Sequence, residues 1–506
     1  MLLWGNPVPV PLTEKGGSLT AHVSWLMCAK TIGFAFTMAL PMVLVRRLDQ
    51  AQFGVYKQLF LVIATSVTVL PLGFGMSAYY FLPREPERQR ETVLNILLYS
   101  LVVGCLVCAA FFLWPAVLDV IFHQPGLTGY AHLTGCVILL LIFSQALEIV
   151  PIAHGEMKVA SAMIVGIQVT RTGIYLAAVL VFGSVKALVW AAVAQGILQT
   201  GVLWWYLQSR FGGFWRHFDW GLMRSQVSYA VPLGLAGILY TVQTDLHNYF
   251  VSNRLGPVAY AIYGVGVVQL PLMAMLQEAT NAVVIPRVSA LQQQNDAHEI
   301  IQLLARAMRK LAAVYFPVVA VLFVTAPEFI TVFFTRRYLA SVPVFRINLL
   351  LLLLGILLED PLFRAYVEQR FFLIRLRIFL CFLLAAALWL GITRFGLVGA
   401  ISAVVLVTAT DRIVMAIRFG RILRISWKDL ALLKDIGKLA AAAAAAGLAA
   451  ECVRLLMHGT RPFFILTACS GVFALVYLGI IWLSGVLTPE ERDFVQRKVA
   501  AVSRMS

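Results

Sequence analysis

The chain is a succession of apolar runs joined by short connections. Each run is close to the length of about 20 residues that a helix needs to cross the hydrocarbon core of a bilayer. The runs fall near 22–44, 55–81, 92–114, 131–153, 159–182, 186–207, 228–251, 260–285, 310–334, 343–360, 371–393, 396–418, 436–456 and 462–485. None of the loops between them is long enough to fold as a soluble domain. The expected fold is therefore an all-α polytopic membrane protein with about fourteen transmembrane helices. Composition agrees: 61% of residues are hydrophobic and 13% charged, and the mean hydropathy is +0.86, well outside the soluble range.

A net charge of +16 would suit a nucleic-acid partner if the cations formed a basic arm. They sit instead between the apolar runs, which makes them topology signals. With the N-terminus inside, cytoplasmic segments hold Arg84, Arg88, Arg90, Lys158, Arg210, Arg216, Arg224, Arg287, Arg306, Arg309, Lys310 and the run Arg418 to Lys434; outer segments hold few, among them Arg46, Arg47, Arg254, Arg336 and Arg337. Both termini are expected in the cytoplasm, in a bacterial inner membrane. The first residues carry Pro7, Pro9 and Pro11 without a basic start, so they read as a tail and not as a cleavable signal. Seven cysteines are scattered through apolar surroundings; Cys105 and Cys108 form a C-x-x-C with no second ligand pair, which reads as packing. No cofactor or metal is expected.

One pattern occurs twice. Arg47-Leu48 is followed eight residues after the leucine by Tyr56, as Arg254-Leu255 is by Tyr263, and the segments that follow exit at Pro83-Arg84 and Pro286-Arg287. This implies an internal duplication of a helix-turn-helix pair. The expected divisions are a tail at 1–21, a six-helix lobe at 22–208, an amphipathic linker at 209–227, a second six-helix lobe at 228–418, a linker at 419–435, helices thirteen and fourteen at 436–485, and a tail at 486–506.

The order and doubling of these motifs carry a resemblance. R-R-L-D-x-x-x-F-G-V-Y at Arg46 to Tyr56, Y-A-V-P-L-G-L at Tyr229 to Leu235 and R-L-G-P-V-A-Y-A-I-Y at Arg254 to Tyr263 are similar to the oligosaccharide flippase (polysaccharide transporter) family of the multidrug/oligosaccharidyl-lipid/polysaccharide exporter superfamily. The similarity spans roughly residues 20 to 420. It implies a transporter, not an enzyme, that moves a polyprenyl-diphosphate-linked glycan from the inner to the outer leaflet by alternating access of two helix bundles. Glycan polymerases and glycosyltransferases would be its partners, with membrane lipid around it and no nucleic acid. Two readings stay open on the same fold: a multidrug or cation antiporter, and a flippase for a peptidoglycan lipid precursor. No Walker motif occurs, so ATP hydrolysis by this chain is not expected.

Charges inside apolar spans are functional candidates by default, because an unpartnered one costs several kcal/mol in lipid. Lys30 and Arg171 are candidates for a diphosphate-binding cavity, with Lys57 at its mouth and Gln168, Gln243 and Asn248 as sugar-bonding neighbours. The structural alternative pairs Arg171 with Glu148 or another acid and lets Lys30 snorkel to the surface. Asp245, with Thr241 and Asn248 on its helical face, and Glu278 are coupling candidates. Asp411-Arg412 and Glu359-Asp360 read as interfacial charges closing their spans. Pro71, Gly73 and Gly75 form the expected hinge.

Overall fold

The computed structural model describes residues 38–216, 218–426 and 428–485, and these are helical with no strand. Lys30 and most of the first expected span lie outside them. The described chain opens with the end of a helix, α1 (38–47). A tight turn follows, in which the Asp49 carboxylate accepts from the Gln52 amide at 2.7 Å while the Gln52 side chain accepts from the Asp49 amide. This capping box satisfies two of the donors orphaned at a helix start and launches α2 (Gln50–Val69).

Beyond α2 the backbone breaks at Leu72 and Gly73, both at positive φ, before α3 (Ala78–Arg84). The break falls where the Pro71-to-Gly75 hinge was expected. Next come α4 (Gln89–Leu113), the short α5 (Val117–Phe122), α6 (Ala131–Ser144) with α7 (Ala146–Ala153), α8 (Met157–Phe182) and α9 (Val185–Arg210).

The connection to the second half is shorter than expected. After α9 the described residues show a single 3-10 turn, at Phe214–Arg216, before α10 (Trp220–Gly266), which Asp219 caps by accepting from the Leu222 amide at 2.9 Å. At 1.5 Å per residue, a straight helix of 47 residues would be about 70 Å long, more than twice the thickness of a bilayer core. It doubles back at Gly256, whose φ is 78°. The fold-back brings His247 Nδ1 to 2.9 Å from the Tyr263 hydroxyl, although a straight helix would hold residues so far apart in sequence about 24 Å apart. A second break, bent by 56°, precedes α11 (Pro271–Gln293).

The remaining elements are α12 (Ala297–Val324), α13 (Ala326–Phe334), α14 (Val342–Asn348), α15 (Leu350–Leu354), α16 (Asp360–Ala365), α17 (Arg370–Ile422), α18 (Lys434–Leu456) and α19 (Pro462–Leu483). The 53 residues of α17 turn at Gly396, φ 56°, and a Cβ on Gly399 would fall inside the Gly391 carbonyl. The two legs therefore touch backbone to backbone. Ten described helices are long and apolar enough to cross a membrane, or eleven counting the bent pair. That count stops short of the expected fourteen partly because α10 and α17 each hold two legs, and because α1 is described only from residue 38.

The helix pair α18 and α19 packs on the side of α12 and α13. Tyr477 donates to the Ala313 carbonyl at 3.0 Å, and Arg454 pairs with Glu328 and Glu451, each at 3.0 Å.

Candidate functional site

Helix α2 packs along α10, and past the α2 break the contact continues onto Ser77, Arg88 and Asn95; this seam joins the two copies of the duplicated motif. At the end carrying Arg46, glycine makes the close approach possible: a Cβ on Gly54 would overlap the Pro257 carbonyl. Just below, the buried Gln58 donates to the buried Ser252 at 2.9 Å. Further along, Thr65 donates to Asp245 at 3.3 Å. At mid-depth Gly234 leaves room for the Leu72 carbonyl at the α2 break. Near the opposite end the buried Gln226 joins Asn95 and Ser77, at 3.0 and 3.3 Å, and Arg88 pairs with Asp219. Asp219 lies outside the spans. The Leu222 amide first, and then the Arg88 guanidinium, hold its carboxyl below the usual carboxylate range.

The cations near the seam are of two kinds. Lys57 is half-buried, its stem lies where a Cβ on Gly264 would be, and it is within electrostatic reach of His247. Arg171 is exposed, at mid-length of α8. Its guanidinium carbon is 5.9 Å from the Tyr175 ring centroid, and Tyr175, Phe60 and Tyr56 form a continuous aromatic edge, with centroids 5.7 and 4.5 Å apart. Among the described residues neither Lys57 nor Arg171 has a carboxylate within ion-pair distance. The alternative pairing of Arg171 with Glu148 does not appear among these ion pairs. Gln168 lies almost one turn before Arg171 on α8 and is half-buried.

The second kind is fully neutralised. Arg377, on the first leg of α17, donates to Asp411 at 3.0 Å and to Gln243 at 3.1 Å, and lies 3.5 Å from Glu359. Arg412 pairs with Glu359 at 2.7 Å and donates to the Leu357 carbonyl at 3.2 Å. Two guanidiniums and two carboxylates thus form a buried cluster of zero net charge that ties α10, both legs of α17 and the segment before α16 together. Sequence reading placed Asp411, Arg412 and Glu359 at an interface and overlooked Arg377. The structure gives Asp411 to Arg377 and Arg412 to Glu359, both inside the bundle. Arg377 follows Arg370 and Arg375 near the start of its span, so the criterion that singled out Arg171, a lone charge well inside an apolar run, does not separate it from the cations at the span's end. Gln243, a candidate sugar-bonding neighbour, accepts from Arg377. Asn281 donates to Asp360 at 3.1 Å. Asn248 is half-buried on α10, and Glu278 is exposed on α11.

Apolar helices of membrane-spanning length, two of them doubling back at a glycine, and a polar seam between duplicated helix pairs define a multi-pass membrane protein of transporter type. The model of the polysaccharide biosynthesis protein family matches residues 43–343, more than half of the chain, and the protein belongs to that family. The model of the lipid II flippase MurJ matches residues 231–469. No curated protein matches by sequence. Among solved structures, the lipid II flippase MurJ in an inward closed conformation aligns with a TM-score of 0.68 at 12% identity, covering 94% of this chain and 100% of that one. An outward-facing multidrug resistance MATE family transporter of the MOP superfamily aligns at 0.55 and 15% identity, covering 81% and 96%. A MOP superfamily transporter from Pyrococcus furiosus, described as having reversed polarity of its binding pocket, aligns at 0.54 and 14%, covering 80% and 96%. At these identities the likeness is one of fold.

Proposed function

We propose that the protein flips a polyprenyl-diphosphate-linked oligosaccharide from the inner to the outer leaflet for surface polysaccharide synthesis, by alternating access of lobes 22–208 and 228–418. The observation that carries this reading is the separation of the cations. Arg377, Arg412 and Arg454 are spent on carboxylates, whereas Lys57 and Arg171, on the first lobe, have no carboxylate partner among the described residues. An unpaired cation in a membrane span is costly unless a polar cavity or a transient anion faces it. A diphosphate is such an anion, and a guanidinium fork matches its oxygens. The aromatic edge of Tyr56, Phe60 and Tyr175 supplies flat apolar surface beside it.

In this reading Lys57 and Arg171 hold the diphosphate, with Lys30, Gln168 and Asn248 as further cavity residues. The Arg46 end faces outward and both termini lie in the cytoplasm, as the distribution of lysine and arginine supports. Asp245 and Glu278 remain the coupling candidates.

The test is transfer of a fluorescent polyprenyl-diphosphate glycan across proteoliposomes. Arg171→Ala and Lys57→Ala are each expected to slow it at least about tenfold, the effect of losing one charge-assisted contact, with insertion unchanged. Wild-type rates in both would overturn the reading.

A second reading, a flippase for a peptidoglycan lipid precursor, is favoured by the MurJ model match over 231–469. It shares the diphosphate and differs in the sugar. Competition between the two lipid-linked glycans in the same vesicles decides between them.

A further inference from the structure

The duplication has a consequence at the Arg46 end. The offset that aligns Arg47-Leu48 with Arg254-Leu255 also brings Arg46 onto Asn253. Both reach across the seam and do the same thing. Arg46 donates to the Val332 and Phe333 carbonyls at 2.7 and 2.9 Å, the last carbonyls of α13. Asn253 donates to the Ile121 carbonyl at 2.7 Å, at the end of α5, and also meets His123.

The two capped helices are themselves counterparts: α5 follows α4 in the first half, and α13 follows α12 in the second. Each stops at a residue with positive φ, His123 at 48° and Thr335 at 79°. A helix end leaves its final carbonyls without intrahelical donors, and side-chain donors there are favourable. Each crossing is backed by a ring contact, Phe53 on Tyr338 at 6.0 Å and Phe122 stacked on Tyr249 at 6.1 Å.

We propose that these two pseudo-symmetric cross-lobe caps are the outer gate: each repeat latches the other lobe's short helix, and both latches must part before the seam can open on that side. The proposal rests on the alternating-access reading, but its test contains no substrate. The reporter is Ser252→Cys, next to Asn253 and fully buried, in a chain that keeps Cys469 and lacks the other native cysteines. A membrane-impermeant maleimide is added at the Arg46 face.

Arg46→Ala and Asn253→Ala are each expected to raise labelling of position 252 about tenfold. The double variant should raise it about a hundredfold, since the two caps share no partner. Arg254→Ala, beside the latch and exposed, should label like the parent. Parent-like labelling in both latch variants, or an equal rise in Arg254→Ala, overturns the proposal. Cys469, buried in α19, reports on the fold. If it too labels in the alanine variants, Arg46→Lys, which keeps one donor, is expected to label position 252 at an intermediate rate with Cys469 protected, and parent-like labelling of position 252 overturns the gate. A latch that behaves as described without any glycan transport would leave the gate standing and sink the substrate assignment.

Discussion

An arginine inside a bilayer needs a counter-charge or a polar space, and the described arginines divide on that criterion. Arg377 is the structural kind: its side chain is 17% exposed and Asp411's 5%, so removing the cation strands a buried carboxylate, at a cost of about 3–5 kcal/mol. Arg377→Ala is therefore expected to lower the thermal unfolding midpoint in detergent by several degrees, and Arg377→Met with Asp411→Leu to recover most of the loss. If the double variant is no better than the single, the cluster is not what holds these helices. Arg171 is a lone cation in an apolar run with the opposite environment, whereas Arg377 follows Arg370 and Arg375 at the start of its run, so the sequence singles out the first and hides the second. The partner that separates the two cases, Asp411 for Arg377, lies 34 positions away on the returning leg of one helix. The exposed pair at Asp219 makes a different prediction. Because its carboxyl is held below its usual value, the contribution is fully present at neutral pH. It is lost only as pH falls below the ordinary aspartate range, near about 3.9, and then through the lowered value. Asp219→Asn should be less stable than the parent at pH 7 by an amount that stays constant down to the aspartate range, and the two should converge as the pH falls below about 3.9; a difference that changes between pH 6 and 7 would contradict this.

Among the elements, glycine decides which helices can touch. Gly54 and Gly234 both let the partner's backbone in where a Cβ would overlap a carbonyl. Gly166, on α8, has nothing within 4 Å and is exposed. Gly54→Ala is expected to force α2 off the Gly256 turn and cost about 1–3 kcal/mol. Gly166→Ala should be neutral or stabilising by up to about 1 kcal/mol, as alanine is the better helix former. Equal unfolding midpoints for the two would show that the seam yields freely. The repeated R-L motif correctly announced a turn in each copy, because aspartate before a capping glutamine and glycine before proline have local geometric meanings. The 56° break before α11 was less legible. Pro271 lies inside the expected span 260–285, whereas it stands at the start of a new helix. A proline is compatible with either place, and tertiary packing decides.

For the molecule as a whole, the fold class and the duplication were readable because a bilayer imposes length and polarity on every crossing. The seam was not, since it is built from contacts such as Gln58–Ser252 and Thr65–Asp245, some 180 to 194 positions apart, that no local pattern encodes. On the proposed function, and with no Walker motif in the sequence, work on a charged headgroup would come from a gradient, the membrane potential, or removal of product. One elementary charge crossing 100 mV is worth about 2.3 kcal/mol. A doubly charged diphosphate carried outward from a negative interior would gain about twice that, provided its charges are not cancelled by a carboxylate that must be protonated on the way. Lys57 and Arg171, which have no carboxylate partner among the described residues, favour uncompensated movement, because they stay with the protein while the substrate's charge crosses. In proteoliposomes with an imposed potential, negative on the side holding the lipid-linked glycan, transfer should accelerate steeply with voltage at fixed pH on both sides, and reversing the potential should suppress it. Asp245→Asn should leave that voltage dependence in place. A rate that ignores voltage, follows a proton gradient and disappears in Asp245→Asn would instead make that aspartate the coupling group and the diphosphate's own charge a passenger.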